Sequence, residues 1–190
     1  YMTNHPDGRC RDYELVWTGS IPGKRESIRY VAPHTLTQQD VLSGGHFEDV
    51  VAYGGWTLDN HDSNGFHNKG LASVEYYIPQ GYGIPFDCLY SVNVPNLMFA
   101  GRDISASHMA FSAVRVMATC ALMGQAIGTA VAQAVKDGVA VAVVDIAKLQ
   151  QKLMDDDCYI PWHERLLSEL TKSAKCTDEI VRNGKDRGDE

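Results

Sequence analysis

"NLMFAGRDISASHMAFSAVRVMATCALMGQAIGTAVAQAVKDG" runs from Asn96 to Gly138, and its reading decides the fold. It opens on apolar residues, Leu97 to Ala100, that predict a buried strand. Pro95 holds Val94 extended and leads into it. Gly101 then lets the backbone approach another group with no Cβ in the way. Arg102 and Asp103 follow at the strand's end, where ligands gather in α/β sheets. A long apolar helix comes next, with Gly138 as its C-cap after Lys136 in the last turn. The N-terminus of such a helix carries a partial charge of about +0.5 and unpaired N–H groups, which suit a phosphate or a ring that accumulates negative charge. Gly124 and Gly128 share one face. Each costs the helix about 1 kcal/mol relative to alanine, so close approach of another backbone is expected there.

Outside this stretch, two β-rich runs, Tyr13 to Ile21 and Ser27 to Leu36, flank "PGKRE" and predict a hairpin. Thr37 is placed to cap a short helix that Gly44-Gly45 ends. "FEDVVAYGGW" reads as a strand or short helix closing at Gly54-Gly55. "TLDNHDSNGFHNKG" reads as a polar loop of the functional kind. Aromatic and β-branched residues alternate again over "VEYYIPQGYGIPFDCLY". After Gly138, "VAVAVV" predicts a short strand or packed connector. Asp145 caps a helix over Ile146 to Met154, and a last helix is expected from about Glu164 to Ser173. Three regions follow: a β-rich part over 1–92, a strand and helix over 93–140, and a helical extension over 141–190. The fold class expected is α/β, or α+β within this chain alone.

Composition narrows the function. The chain has 190 residues, 44% of them apolar, with 17 Lys+Arg against 24 Asp+Glu and a net charge of −7. That balance argues against a nucleic-acid surface, which needs a basic stripe. The longest near-apolar stretch, Val116 to Val135, is interrupted by Thr119, Gln125, Thr129 and Gln133, so a buried helix is expected and a membrane span is not. Five widely spaced cysteines without a C-x-x-C signal neither a zinc site nor a disulfide framework, and no metal site is expected.

Several residues are candidates for chemistry. Arg25 is either the partner of Glu26 at a turn or a group aimed at an anionic or hydroxylated substrate. His61, beside Asp59 in the polar loop, is suited to act as a base, as is His108 just after the joint. Arg115, in an apolar segment, needs a partner if buried: a carboxylate, a helix C-terminus or a cofactor. Trp56 follows two glycines and fits either a core or a stacking position.

"NLMFAGRDIS", then "SH", then "RVMATCALMGQAIGTAVA" resembles the C-terminal part of a family of FAD-dependent oxidoreductases. "GKRES", "TLTQQDV" and "FEDVVAYGGWTLDNH" resemble that family's middle region in the same order, so the resemblance runs from about Gly23 to Pro161. It implies a Rossmann-like FAD domain of the glutathione-reductase type, completed by the strand and helix over Asn96 to Gly138. It implies that Gly101, Arg102, Asp103 and Ile104 lie along the ribityl and pyrophosphate side of FAD. Arg115, Val116, Met117 and Gly124 would then accompany the helix start at the pyrimidine end of the ring.

No G-x-G-x-x-G occurs, so the half that holds the ADP moiety is expected to come from elsewhere, as a missing N-terminal partner. The chain opens at Tyr1 in what reads as the middle of a domain. The Gly124/Gly128 face is accordingly expected to be exposed or covered by a second copy. The activity implied is hydride transfer between a small hydroxylated or amino metabolite, such as a sugar, and flavin. Two other readings stand beside it: a non-catalytic module, and a carbohydrate lyase using His61 and tyrosines. Some relatives carry the label xanthan lyase, although no residue set here argues for polysaccharide elimination.

Overall fold

The computed structural model describes residues 6–21 and 25–162, the side chain of Phe66 excepted. The helix expected near Glu164 lies outside them. Four helices, α1 (Gln38–Ser43), α2 (His108–Val114), α3 (Met117–Asp137) and α4 (Ile146–Asp155), accompany four short strands, β1 (Val50–Gly54), β2 (Leu58–His61), β3 (Ser73–Tyr76) and β4 (Tyr82–Pro85). The fold is mixed α+β. β1 pairs antiparallel with β4, from Val50 opposite Pro85 to Gly54 opposite Tyr82, with an irregularity between Val50 and Ala52. β2 pairs antiparallel with β3, from Leu58 opposite Tyr76 to His61 opposite Ser73.

The β1–β4 ribbon forms the centre. Val50, Val51, Ala52, Tyr82 and Ile84 are all buried. α3 and α4 pack against β1, α1 packs against β4, and α2 covers β2. One apolar cluster extends from Ala32 to Ile160 and includes Leu36, Phe86, Leu89, Ile104, Phe111 and Met123. Each fully buried side chain of this size contributes about 1.5–3 kcal/mol.

Local signals hold well. Thr37 and Asp40 form a reciprocal capping box on α1, and Gly44 closes it at φ 93°. Gly138 ends α3 at φ 67°. Asp145 accepts a hydrogen bond from the backbone N–H of Lys148 and starts α4. Gly45 and Gly83 meet so closely that a Cβ on either would lie 2.4 Å from the other's carbonyl oxygen. "VAVAVV" is a connector with a 3-10 turn over Val141–Val143.

Three expectations change. The predicted hairpin does not form: residues 13–20 carry no strand, and Leu15, Val16 and Trp17 are exposed. The run from Ser27 to Leu36 spends its backbone groups elsewhere. Tyr30 N–H donates to Asp103 (2.9 Å), Leu36 N–H to Ser105 (2.9 Å), and Ser107 N–H to Leu36 (2.8 Å). Its partner is the joint itself. The strand over Asn96 to Ala100 shrinks to one bridge, Met98 with Tyr90, plus the bond from Phe99 N–H to the Leu89 carbonyl. The "polar loop" contains strand β2, so that Asp59 and His61 fall on one face and Asn60 on the other.

α3 is long and apolar enough, by length and composition, to cross a membrane. Its Met123, Ala126, Ala130 and Ala134 are nevertheless buried, and the helix packs on β1, as a helix covering a sheet does. Gly124 and Gly128 lie on the opposite, exposed side, where a Cβ would meet nothing within 4 Å. The glycines therefore admit no close neighbour within the described residues. Met117 and Val135, 89% and 78% exposed, lie on the same helix and leave it an uncovered apolar side.

Candidate functional site

Two clusters lie on either side of the segment from Arg25 to Tyr30. The first is the joint. Gly101 adopts φ 105°, a conformation few other residues tolerate, and its missing Cβ would sit 3.9 Å from the Cys120 sulfur. Cys120 belongs to the first turn of α3, so the joint and the helix start are in contact, as the sequence reading requires. Val116, the N-cap, makes no side-chain capping bond. The first helical bond runs from Cys120 N–H to the Val116 carbonyl (3.0 Å), which leaves the N–H groups before it directed outward. Burial pushes the Cys120 thiol up; nearby Arg102 opposes this and Asp103 adds to it.

Tyr82 is fully buried and its hydroxyl has no partner among the described residues. Burial raises its pKa, and the neighbouring Cys120 adds to the rise. The uncapped helix start and the Gly101 corner therefore share one neighbourhood, while the Tyr82 hydroxyl lies against Gly54 of β1. Arg102 and Asp103 also line an open cleft of about 360 Å³ with Arg25, Ser27, Ile28 and Tyr30. Ile104 is fully buried, and its side chain belongs to the core.

The second cluster consists of two hydrogen-bonded ionic groups between β2 and α2, one at each end of α2. Ser107 caps α2 by accepting from Ala110 N–H (3.3 Å), which fixes His108 as its first residue. His108 Nδ1 lies 2.9 Å from both carboxylate oxygens of Glu26, and its Nε2 lies 2.7 Å from Asn60 Oδ1. Arg29 pairs with the same Glu26. Burial raises the Glu26 pKa, but bonds and charge from His108 and Arg29 outweigh it and hold the carboxyl below its ordinary value.

At the other end of α2, Arg115 has a side chain only 8% exposed. It donates to the Asp59 carbonyl (2.7 Å) and to Asp59 Oδ2 (3.0 Å). His61 Nε2 lies 3.1 Å from the same Oδ2. Arg29 and Arg115 both lie over the Phe111 ring, 5.8 and 5.7 Å from its centroid.

His108 thus belongs to one group with Glu26, Arg29 and Asn60, and His61 and Arg115 to a second group on Asp59, while Arg25 stands in the cleft with Arg102 and Asp103. Arg115 finds the carboxylate partner its burial calls for. Trp56 is half exposed rather than core. Met117, Val116 and Gly124 lie along α3, with Met117 and Gly124 exposed. The sequence reading missed the part played by Glu26, which pairs with Arg29 and His108 rather than Arg25. It also missed Asn60 and Tyr82. The (i, i+3) spacing of Glu26 and Arg29 was the available hint.

Residues 1–153 match the family described as FAD dependent oxidoreductase, and the chain belongs to that family. It is accordingly a flavin-dependent oxidoreductase by family; the lyase label carried by some relatives finds no support in that match. No curated protein and no solved structure matches the chain.

Proposed function

We propose that this chain forms the substrate-side and ring-side portion of an enzyme that oxidises a small hydroxylated or amino metabolite. The observation that carries the reading is the contact of Gly101 with the first turn of an uncapped α3, in a chain whose residues 1–153 match the family. The residues present fit the cofactor. The outward N–H groups and dipole of α3 suit an electron-rich ring edge. Gly101 admits a ligand where a side chain would intrude, and Arg102 supplies charge for a phosphate. The Gly-rich turn for the ADP half is assigned to a partner segment outside these 190 residues.

Bound FAD supplies a two-electron acceptor that takes a hydride from a substrate carbon. The proton on the neighbouring oxygen or nitrogen leaves separately, and the carbon ends doubly bonded to that atom. Accepting this proton is the task of the chain's own side chains, and His61 and His108 are the two groups suited to it. Arg25, in the cleft beside Arg102, contacts the substrate's polar end.

The test is a fluorescence titration of FAD with the chain together with that Gly-rich partner segment. Quenching is expected. Gly101→Val, which forces a β-branched residue to φ 105°, is expected to weaken it about tenfold, or ~1.4 kcal/mol. Protein that leaves FAD fluorescence unchanged overturns the reading.

A further inference from the structure

Resting on that reading, we infer that His108 is the proton acceptor, that Glu26 is the residue that positions it, and that Asn60 holds the place of the substrate's hydroxyl or amine. The argument starts from which ring nitrogens are committed. A carboxylate accepts only, so the Glu26 oxygens at 2.9 Å place a proton on His108 Nδ1. A neutral imidazole then has its lone pair on Nε2. Free neutral imidazole of histidine favours the opposite form, so the carboxylate imposes this one. Glu26 is itself held by Arg29, which prevents it from following the ring.

Nε2 points at the side-chain amide of Asn60, 2.7 Å away. With its oxygen forward, that amide serves a protonated ring; with its nitrogen forward, it donates to an unprotonated one. Asn60 therefore satisfies His108 before and after proton uptake. A substrate hydroxyl that displaces the Asn60 amide from this position donates its O–H to Nε2 and accepts from the displaced amide N–H. When the hydride departs from the carbon, the hydroxyl proton moves to Nε2 and the oxygen becomes a carbonyl.

His61 is less well placed. Asp59 is shared with Arg115 much as Glu26 is shared with Arg29. His61, however, meets its carboxylate through Nε2, the nitrogen that His108 keeps for Asn60, whereas His108 is held by its carboxylate at Nδ1. Glu26 also follows directly on Arg25, and the residues around it, Arg25, Ser27, Ile28 and Tyr30, face the cleft lined by Arg102 and Asp103. The His108 pair is thereby tied to the joint.

Two measurements on the full chain, neither requiring flavin or substrate, test this. The first is the tautomer of neutral His108, read from ring ¹⁵N shifts and assigned by loss of the signal in His108→Gln. The Nδ1–H form is expected in the wild type and in Glu26→Gln, whose amide oxygen still accepts. Reversion to Nε2–H is expected in Glu26→Ala. Should Glu26→Ala not fold, the wild-type tautomer decides alone, and an Nε2–H ring there overturns the inference. The second is acylation by diethyl pyrocarbonate, followed by peptide mass. His108 is expected to react at Nε2, several-fold faster in Asn60→Ala, which uncovers that nitrogen; acylation at Nδ1 instead, or no acceleration, overturns the proposal. Neither readout involves FAD, so a failure here is separate from a failure of flavin binding.

Discussion

Removal of the Asp59 carboxylate tests how α2 is fastened to β2. In Asp59→Ala, Arg115 keeps its 2.7 Å bond to the residue 59 carbonyl, which belongs to the backbone, and loses the 3.0 Å bond to Oδ2. A hydrogen bond between charged groups is worth about 1.5–3 kcal/mol, and stranding a buried charge costs more. Arg115 is 8% exposed but Asp59 is 23% exposed, so part of the field already reaches water. The retained backbone bond further limits the damage. A loss of about 2 kcal/mol follows, near the lower end of that range. At a urea slope of about 2 kcal/mol per molar, the unfolding midpoint falls by about 1 M. The assay is a double-mutant cycle with Arg115→Met, which fills the space without charge. If the pair is coupled as the geometry states, the double variant is more stable than the sum of the single losses by about 1–2 kcal/mol. Additive losses within about 0.3 kcal/mol would refute the reasoning.

Further outcomes follow from other contacts. Gly83→Ala brings a Cβ to 2.4 Å from the Gly45 carbonyl oxygen and 2.8 Å from Val50 Cγ2, and is expected to cost about 1–3 kcal/mol in urea unfolding. Gly124→Ala meets nothing within 4 Å and is expected to gain about 1 kcal/mol by the same assay. Thr37→Ala removes one side of the α1 capping box and is expected to cost about 1 kcal/mol. Glu26 has a folded-state pKa below its ordinary 4.5, so its contribution is present above that value and is lost as pH falls through the lower folded one. Stability measured from about pH 6 to pH 3 is therefore expected to fall less steeply in Glu26→Gln, the difference being confined to pH below the ordinary value.

The elements legible in the sequence are those whose causes are local. Thr37, Gly44, Gly138 and Asp145 each act within four residues of the helix end they fix, and each was readable. The pairing of Ser27–Leu36 was not, because its hydrogen bonds run to residues about seventy positions away while a nearer apolar run offered a plausible hairpin. β2 was read as a loop because only Leu58 of its four residues is buried, so no alternation shows. That misreading concealed Asn60: in a loop it is one polar residue among many, whereas on a strand it faces away from Asp59 and His61 and meets His108. The joint was legible from Gly101, and the resemblance of its flanks carried the family. The Glu26–His108 pair, 82 residues apart, required the fold.

The account rests on α3 presenting its start to the flavin beside Gly101. Backbone hydrogen exchange with and without FAD, on the chain together with the Gly-rich partner segment proposed above, tests this most directly. Slowed exchange is predicted at Gly101–Asp103 and at Met117–Thr119, with Lys148–Leu153 on α4 unchanged. Protection confined to other parts of the chain, with those first-turn amides exchanging as before, would contradict it.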